Sequence, residues 1–212
     1  MFEDLGKLII AIQNNYDRIC DIWSNIASAQ INLKKKQVID ARENAEIIDS
    51  IWKYRALVND EIINIMFNLN MIDYEKSSVT SRVKAQNSIE FKLDNYVTNH
   101  EYGKIPLKKC MNDLLGIRII IDDIFTYDDI KEFMDKNFPT YKCIDSSKLS
   151  YVATHLYFEN GNTFFPWELQ IWMKKDERNN FASHKEYKQD YTKWERENRG
   201  GVENDQTFYD FE

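Results

Sequence analysis

The chain has 212 residues, of which 43% are hydrophobic and 30% are charged, an ordinary balance for a globular protein with a full core. Its formal net charge of −7 argues against a general nucleic-acid-binding protein. Aromatic residues are plentiful whereas Gly and Pro are scarce, which favours packed regular structure over disorder. Three cysteines at wide spacings predict neither a disulfide framework nor a metal clip.

The charge is unevenly distributed along the chain. Residues 82–118 hold seven cations and four acids, while the last ten residues hold four acids and no cation. A basic region within an acidic chain fits an anionic ligand that is bound locally. The start of the chain, with Glu3 and Asp4, does not resemble a signal peptide, and no apolar run approaches the ~20 residues of a membrane span. We therefore expect a cytoplasmic protein.

Residues 2 to about 70 are predicted to be helical, because apolar residues recur at three- and four-residue spacing and neither Pro nor Gly follows Gly6. Lys34–Lys36 is the predicted junction of two helices, or else a solvated stretch of one long helix. The chain divides into a helical N-terminal extension, a compact domain and an acidic tail, at 1–75, 76–196 and 197–212.

The compact domain alternates predicted strands and helices. Gly116–Ile121 is the clearest strand, since three isoleucines share one face and Arg118 lies on the other. Further strands are predicted at 79–83, 141–144, 151–158 and 167–172, with a turn at 160–162 and a return through 164–165. Helices are predicted at 87–99, 108–115, 128–137 and 179–196. We expect Asn87 or Ser88 to cap the first of these helices.

Four polar residues form a predicted donor array. Arg82 and Lys84 lie two residues apart on extended backbone, so both point to the same side. Ser88 and Lys92 follow at i and i+4, on one face of the next helix. An array of hydroxyl, ammonium and guanidinium donors suits a polyphosphate.

Two carboxylates fall in or beside predicted strands. Asp113 precedes the strand of Arg118, and Glu168 lies in a strand whose other face is apolar. Together they could hold Mg²⁺ on a triphosphate beside the donor array. Singly, each is better explained by an ordinary salt bridge, such as Asp113 with Lys108 or Lys109. Their combination with the donor array favours a nucleotide–metal site.

Tyr151 and His155 share one face of a predicted strand, about 13 Å apart by strand rise. They could line a substrate groove in which the tyrosine ring stacks on a base. Taken alone, the pair fits better a half-buried sheet tyrosine and a hydrogen-bonded core histidine.

Four sequence blocks follow one another in chain order: Arg82-x-Lys84-x-x-x-Ser88-Ile89-x-x-Lys92, Asp113-Leu-Leu-Gly116-Ile117-Arg118-Ile119, Tyr151-x-x-x-His155 and Glu168-Leu169-Gln170-Ile171. A later His followed by Tyr-Lys corresponds to His184, Tyr187 and Lys188. In this order and spacing the blocks resemble the synthetase domain of RelA/SpoT-type alarmone enzymes. The resemblance covers roughly residues 78–195, over half of the chain.

The resemblance implies a nucleotidyltransferase-like α+β fold, a mixed β-sheet flanked by helices, for residues 76–196. It implies an enzyme that transfers the β,γ-pyrophosphate of ATP to a ribose 3′-hydroxyl. Arg82 and Arg118 would sandwich the adenine by cation–π stacking. The phosphates would contact Lys84, Ser88 and Lys92.

The resemblance also implies roles for the carboxylates and for an acceptor site. Asp113 and Glu168 would hold Mg²⁺, and Glu168 would act as general base on the acceptor hydroxyl. Tyr151 would stack on the acceptor base. The predicted acceptor-binding set is Tyr151, His155, Lys148 and Gln170.

The acceptor blocks depart from the housekeeping pattern. The approach Lys148-Leu149-Ser150 to Tyr151 lacks a glycine, and Trp172-Met173 replaces an Arg-Thr pair. With a Tyr-x-x-Thr-His block in one small domain, the chain most resembles the toxic small alarmone synthetases of toxin–antitoxin systems. Many of those place pyrophosphate on the 3′ CCA end of tRNA, and a protein antitoxin is the implied partner.

Three hypotheses remain open. A tRNA pyrophosphokinase toxin needs an exposed basic surface, and the candidates are Lys104, Lys108, Lys109 and Lys34–Lys36. A synthetase acting on free GDP, GTP or adenine nucleotides predicts a closed acceptor pocket around Tyr151. A catalytically dead nucleotide-binding module is weakened because Asp113 and Glu168 are both retained.

Overall fold

The structure is a computed structural model that describes residues 2–27, 30–72 and 77–185. Its helices are α1 (Phe2–Ile26), α2 (Val38–Glu43), α3 (Ala45–Asn70), α4 (Gln86–Asn99), α5 (Leu107–Cys110) and α6 (Tyr127–Asn137). Its strands are β1 (Ser77–Val83), β2 (Leu115–Ile121), β3 (Lys142–Asp145), β4 (Thr154–Phe158) and β5 (Trp167–Met173). A last helix, α7, begins at 177 and continues to 185, where the described part ends. The predicted tail, with Tyr187 and Lys188, lies outside the described residues.

The N-terminal segment consists of α1, α2 and α3. The prediction of helix throughout 2–70 is wrong over 30–37, and Lys34–Lys36 form a turn there, which confirms the predicted junction. The backbone leaves the helix because it bonds to the loop before α5 and to the start of α5. The Val38 amide donates to the Ile105 carbonyl (3.0 Å), the Leu107 amide to the Lys36 carbonyl (2.7 Å) and the Lys108 amide to the Leu33 carbonyl (2.8 Å). A second break falls at Asn44, whose side chain caps α3.

The five strands form one mixed sheet in the order β1-β2-β5-β4-β3. The β2–β5 pair is parallel, and the other neighbours are antiparallel. The chain therefore leaves β2, passes through α6 and the β3–β4 pair at one edge, and returns to the centre as β5. The predicted α+β class, a mixed sheet flanked by helices, is confirmed.

Helices α1 and α3 cover one face of the sheet. Tyr54 of α3 is fully buried there and accepts a hydrogen bond from Trp167 Nε1 at 2.9 Å, while Tyr16 of α1 meets the same indole edge-on. Alternate residues of the central strands join this core, namely Ile117, Ile119, Ile121, Leu169 and Ile171. The intervening residues face the opposite side, where the candidate site lies. Among the described residues, no helix is long and apolar enough to cross a membrane.

Several predicted boundaries need correction. Ala85 is the N-cap of α4 and makes no side-chain cap bond, so neither Asn87 nor Ser88 caps this helix. The predicted helix 108–115 is the single turn α5, because Leu115 already pairs in β2. The predicted return strand at 164–165 is irregular backbone.

Candidate active site

Two rows of side chains cross the sheet on the face opposite to α1 and α3. The strand register aligns one row as Arg82, Gly116, Glu168, Tyr157 and Lys142. It aligns the next row as Thr80, Arg118, Gln170, His155 and Ile144. Residues far apart in sequence thus become neighbours because β5 inserts between β2 and β4.

A cleft of about 530 Å³ lies over β1 and β2, and we call it the arginine cleft. Its described lining includes Ser81, Arg82, Gly116, Arg118, Gln170 and residues of α7, among them Phe181 and His184. The predicted adenine pair, Arg82 and Arg118, is therefore brought into one cleft. Ser81 pairs with Ile117, so its side chain lies on the core face, where its buried hydroxyl has no hydrogen-bond partner among the described residues.

Arg118 is held by aromatic and amide groups. Its guanidinium carbon lies 3.7 Å from the centroid of the Trp172 ring, a cation–π contact. The same guanidinium donates to Gln170 Oε1 at 3.2 and 3.3 Å. Burial, together with the nearby charge of Arg82, lowers the pKa of Arg118 to about 10. Arg118 therefore has a fixed orientation in the cleft.

A second cleft, of about 640 Å³, lies over β3, β4 and β5, and we call it the lysine cleft. The lysines in its described lining are Lys34, Lys92, Lys108, Lys109 and Lys142. Its acidic lining residues are Asp113, Glu159 and Glu168. The predicted basic surface is brought to the cleft in part, through Lys34, Lys108 and Lys109, and Lys108 is engaged by Glu159 at 2.7 Å.

Asp113 is clamped by two ammonium groups. Lys84 Nζ lies 2.6 Å from Oδ2, and Lys92 Nζ lies 2.9 Å from Oδ1. Burial raises the pKa of Asp113, but the two lysine charges outweigh it and hold that pKa well below its ordinary value. The expected alternative partners, Lys108 and Lys109, are wrong, because β1 and α4 bring the other lysines to Asp113. Two predicted phosphate ligands thus meet a predicted metal ligand.

Glu168 is the second buried carboxylate. Its Oε1 lies 2.9 Å from His155 Nδ1 and accepts a hydrogen bond from the Tyr157 hydroxyl at 3.2 Å. Its Oε2 accepts from Gln170 Nε2 at 2.8 Å. Burial raises the pKa of Glu168, yet the bond and charge of His155 outweigh it, so the pKa is lowered. The carboxylate is therefore ionised at neutral pH and fixed at both oxygens.

The two carboxylates fit Mg²⁺ better than a metal that needs several protein ligands. Among the described residues, no group of three or more His, Cys, Asp or Glu side chains is arranged to hold a metal. Asp113 and Glu168 are both ionised and line the same cleft. Mg²⁺ commonly takes one or two carboxylates and completes its shell with water and substrate phosphates.

Tyr151 is placed differently from the prediction. It precedes β4 and bridges back to Lys148, so it is not on the strand of His155. Leu149, in that turn, has φ of 56°, the left-handed backbone that a glycine would adopt without strain. The side chains turn toward each other, and the Tyr151 hydroxyl is 2.9 Å from His155 Nε2.

The remaining predicted site residues lie at different places relative to the two clefts. Ser88 is half-buried on α4 and lines neither cleft, while Lys148 is exposed. Gln170, predicted for the acceptor, lines the arginine cleft.

The roles of Tyr157 and Trp172 in contacting the candidate site residues were not predicted from the sequence. Tyr157 touches Glu168, and Trp172 carries Arg118. Strand alternation placed both on the correct face, and only the register showed what they touch.

The comparisons with known proteins give similarity to solved structures alone. No family model and no curated protein matches the chain. It is similar to the small alarmone synthetase 1 from Bacillus subtilis, with 22% identity, 71% of this chain and 82% of that chain covered and a TM-score of 0.42. It is also similar to the small alarmone synthetase 2 from Bacillus subtilis, with 17% identity, 67% and 79% covered and a TM-score of 0.38. At this level of similarity, the function has to be argued from the site.

Proposed function

We propose that the protein is an ATP-dependent pyrophosphokinase that moves the β,γ-pyrophosphate of ATP to a ribose 3′-hydroxyl. The observation that carries the proposal is the Lys84–Asp113–Lys92 cluster beside the ionised Glu168. Two ammonium groups with two carboxylates are the groups needed for a metal-bound polyphosphate. The sequence blocks that resemble RelA/SpoT-type synthetases contain the same residues.

The arginine cleft is the proposed site of the ATP base. A fixed guanidinium such as that of Arg118 stacks well on a planar ring. Gly116 lies between Arg82 and Glu168 in the strand register, so no side chain separates the arginine cleft from the carboxylates. A triphosphate bound with its base at Arg118 can therefore extend toward Lys84 and Lys92.

In the proposed reaction, the acceptor 3′-oxygen attacks the β-phosphorus of ATP. The new O3′–Pβ bond forms as the bond between Pβ and the α-phosphate oxygen breaks, and AMP leaves with that oxygen. Glu168 accepts the proton of the 3′-hydroxyl. Lys84 and Lys92 contact the phosphates, and Mg²⁺ held by Asp113 and Glu168 would neutralise their charge.

The proposed acceptor is the 3′ CCA end of tRNA. The lysine cleft supports a polyanionic acceptor, since Lys34, Lys109 and Lys142 are exposed at its border. Modification of tRNA ends would stop translation, so a neutralising protein antitoxin is part of the proposal. Transfer to free GDP, GTP or adenine nucleotides is the alternative outcome of the test.

The test offers γ-³²P-ATP and one acceptor at a time to the purified protein: deacylated tRNA, GDP, GTP or AMP. We expect label on tRNA, and none on tRNA that ends in 3′-deoxyadenosine. Label on free nucleotides alone would exclude the tRNA acceptor but keep the pyrophosphokinase activity. No label on any acceptor would exclude both.

A further inference from the structure

One wall of the lysine cleft is built from three segments that are far apart in sequence. They are the turn before α2, the start of α5 and the turn at 159–162 between β4 and β5. Their side chains in the described lining of the cleft include Lys34, Lys108, Lys109, Glu159 and Asn162. The first segment precedes the sequence blocks that resemble the synthetase domain, so those blocks do not account for this part of the cleft.

A closed set of hydrogen bonds joins the three segments, and we call it the three-segment junction. The Leu33 amide donates to the Asn162 carbonyl at 2.7 Å, and the Lys108 amide donates to the Leu33 carbonyl at 2.8 Å. The Lys108 ammonium completes the set by donating to the Gly161 carbonyl at 2.7 Å. Of these three bonds, only the last comes from a side chain, so a substitution at Lys108 can remove it.

The side chain of Lys108 is turned into the junction. Its ammonium uses a second donor on Glu159 Oε2, at 2.7 Å, and only 14% of the side chain is exposed. Lys109, the next residue, is exposed at the border of the cleft. A ligand phosphate would have to compete with a carboxylate and a carbonyl for Lys108, whereas it can reach Lys109 from solvent.

We propose that Lys108 is a positioning residue, which holds the 159–162 turn against α5 and thereby fixes the wall of the lysine cleft that the acceptor contacts. This inference rests on the proposed function, in which the acceptor enters the lysine cleft. Without the ammonium, the turn keeps the Leu33 bond and the bond from the Asn160 amide to the Tyr16 hydroxyl at 3.2 Å, but its tip loses α5. A looser wall weakens acceptor binding and leaves the reacting groups in place.

The kinetic test applies Lys108→Met to whichever acceptor the wild type uses with γ-³²P-ATP. Methionine keeps an unbranched stem without the ammonium, and water can solvate the half-exposed Glu159. We expect the acceptor KM to rise about three- to tenfold, the range for one lost hydrogen bond, with kcat and the KM for ATP unchanged. Lys108→Arg keeps the charge and the donors and should restore most of the affinity. A fall in kcat with an unchanged acceptor KM would overturn the inference.

Lys136→Met is the matched kinetic control. It removes an ammonium from the exposed surface of α6, away from both clefts. We expect every kinetic constant to stay at the wild-type value in this variant. An equal rise of the acceptor KM in Lys108→Met and Lys136→Met would overturn the inference, because net charge rather than the junction would then be the cause.

Amide hydrogen exchange, followed by NMR without any acceptor, separates positioning from direct contact. Loss of the ammonium should favour local opening of the junction, so the Leu33 amide should exchange about threefold faster or more in Lys108→Met. Lys109→Met removes the neighbouring charge and should leave this exchange unchanged. An unchanged rate in Lys108→Met would overturn the inference, and with a raised KM it would make Lys108 a direct acceptor contact.

The two measurements also separate this inference from the proposed function. In an active wild type, faster exchange with an unchanged acceptor KM would overturn the positioning role alone. A wild type that is inactive on every acceptor would overturn the proposed function and the positioning role with it. The exchange measurement would then still report whether Lys108 holds the junction.

Discussion

The arginine cleft and the lysine cleft share one sheet face but hold their cations in different ways. Arg118 is stacked on Trp172 and bonded to an amide, and no carboxylate among the described residues forms an ion pair with it. In the lysine cleft, Lys92 is paired with Asp113, which also binds the buried Lys84 behind the cleft lining. A stacked guanidinium suits a planar base, whereas ammonium groups that can exchange a carboxylate for a phosphate suit the reacting end of a nucleotide. In the proposed reaction, the arginine cleft would bind the ATP base and the lysine cleft would hold the reacting phosphates.

The largest expected effect is loss of transfer in Glu168→Gln. A general base contributes about 10²- to 10⁴-fold, so we expect the rate to fall by at least that factor, and Mg²⁺-dependent ATP affinity to fall by less, because Asp113 remains as a proposed Mg²⁺ ligand. The amide keeps an oxygen for His155 and Tyr157, so the fold should persist. Rates come from the label-transfer assay and affinity from calorimetry.

Glu159→Gln is the control for that substitution. Glu159 also lines the lysine cleft, but its side chain is 42% exposed and paired with Lys108. We expect a rate within about threefold of wild type, because exposed ion pairs contribute little. A comparable loss in both variants would show that cleft charge matters rather than proton transfer by Glu168.

Asp113→Asn should destabilise the fold. Lys84 and Lys92, with side chains only 10% and 15% exposed, would lose their shared counter-charge. Removing one member of a buried ion pair costs about 3–5 kcal/mol, which urea unfolding would measure. Asp122→Asn is the exposed control just after β2 and should change the free energy of unfolding by under about 0.5 kcal/mol. A loss below 1 kcal/mol for Asp113→Asn would contradict the clamp.

Much of this arrangement follows from sequence pattern and part of it does not. Alternation identified β2 and β5, and put Arg118 on one face of its strand and Glu168 on one face of its own. The partners of Asp113 could not be read, because Lys84 and Lys92 reach it from β1 and α4 rather than from the adjacent Lys108 and Lys109.

Two other features depend on long-range pairing. Residues 30–37 contain no Pro or Gly that would end a helix, but their backbone bonds to the loop before α5 and to the start of α5 instead. The insertion of β5 between β2 and β4 decides which residues become neighbours across the sheet. Neither the loop contact nor the strand order is encoded in a local pattern.

Gly116→Val tests the passage between the two clefts. A Cβ at this position would lie 3.9 Å from Glu168 Oε2 and 4.0 Å from the Arg82 carbonyl, so Ala fits without a clash. Valine is favourable in strands but adds carbons to the gap. Overfilling a packed site costs about 1–3 kcal/mol, so kcat/KM for ATP should fall about fivefold or more. Gly116→Ala should stay within about threefold, and equal loss in both variants would contradict an open passage.

The pH dependence of stability should differ between the clefts. Burial and the charges of Arg118 and Arg82 lower the pKa of His184 to about 4, so the folded protein keeps it neutral while the unfolded chain protonates it below about pH 6.5. The unfolded state then binds more protons, and stability falls as the pH drops from 6.5 to 4, on the order of 1–2 kcal/mol. The lowered pKa of Asp113 affects stability at a lower pH. The stabilisation that the ionised Asp113 contributes is present above about pH 4 and is lost below it.

His184→Gln separates these two windows. Urea unfolding from pH 7.5 to 4.5 should show a flatter profile than wild type, with the loss below pH 4 retained. His100→Gln, an exposed histidine at the end of α4, is the control and should leave the profile unchanged. If the stability of His184→Gln fell with pH as steeply as that of the wild type, His184 would not be the cause of the stability loss between pH 6.5 and 4.

The smallest expected effect is that of Lys109→Ala on tRNA use. Lys109 is exposed on α5 at the lysine cleft, so a phosphate contact there adds affinity without touching the chemistry. Loss of one contact should lower kcat/KM for tRNA about threefold and reduce the salt-dependence slope by about one. Use of AMP and GTP should change less, because each carries far fewer phosphates than a tRNA to contact the border lysines. Lys136→Ala removes the same charge from α6, away from both clefts, and should leave the slope unchanged. Equal slopes for the two lysine variants would remove the main support for a polyanionic acceptor, and the lysine cleft would then be assigned to a free nucleotide.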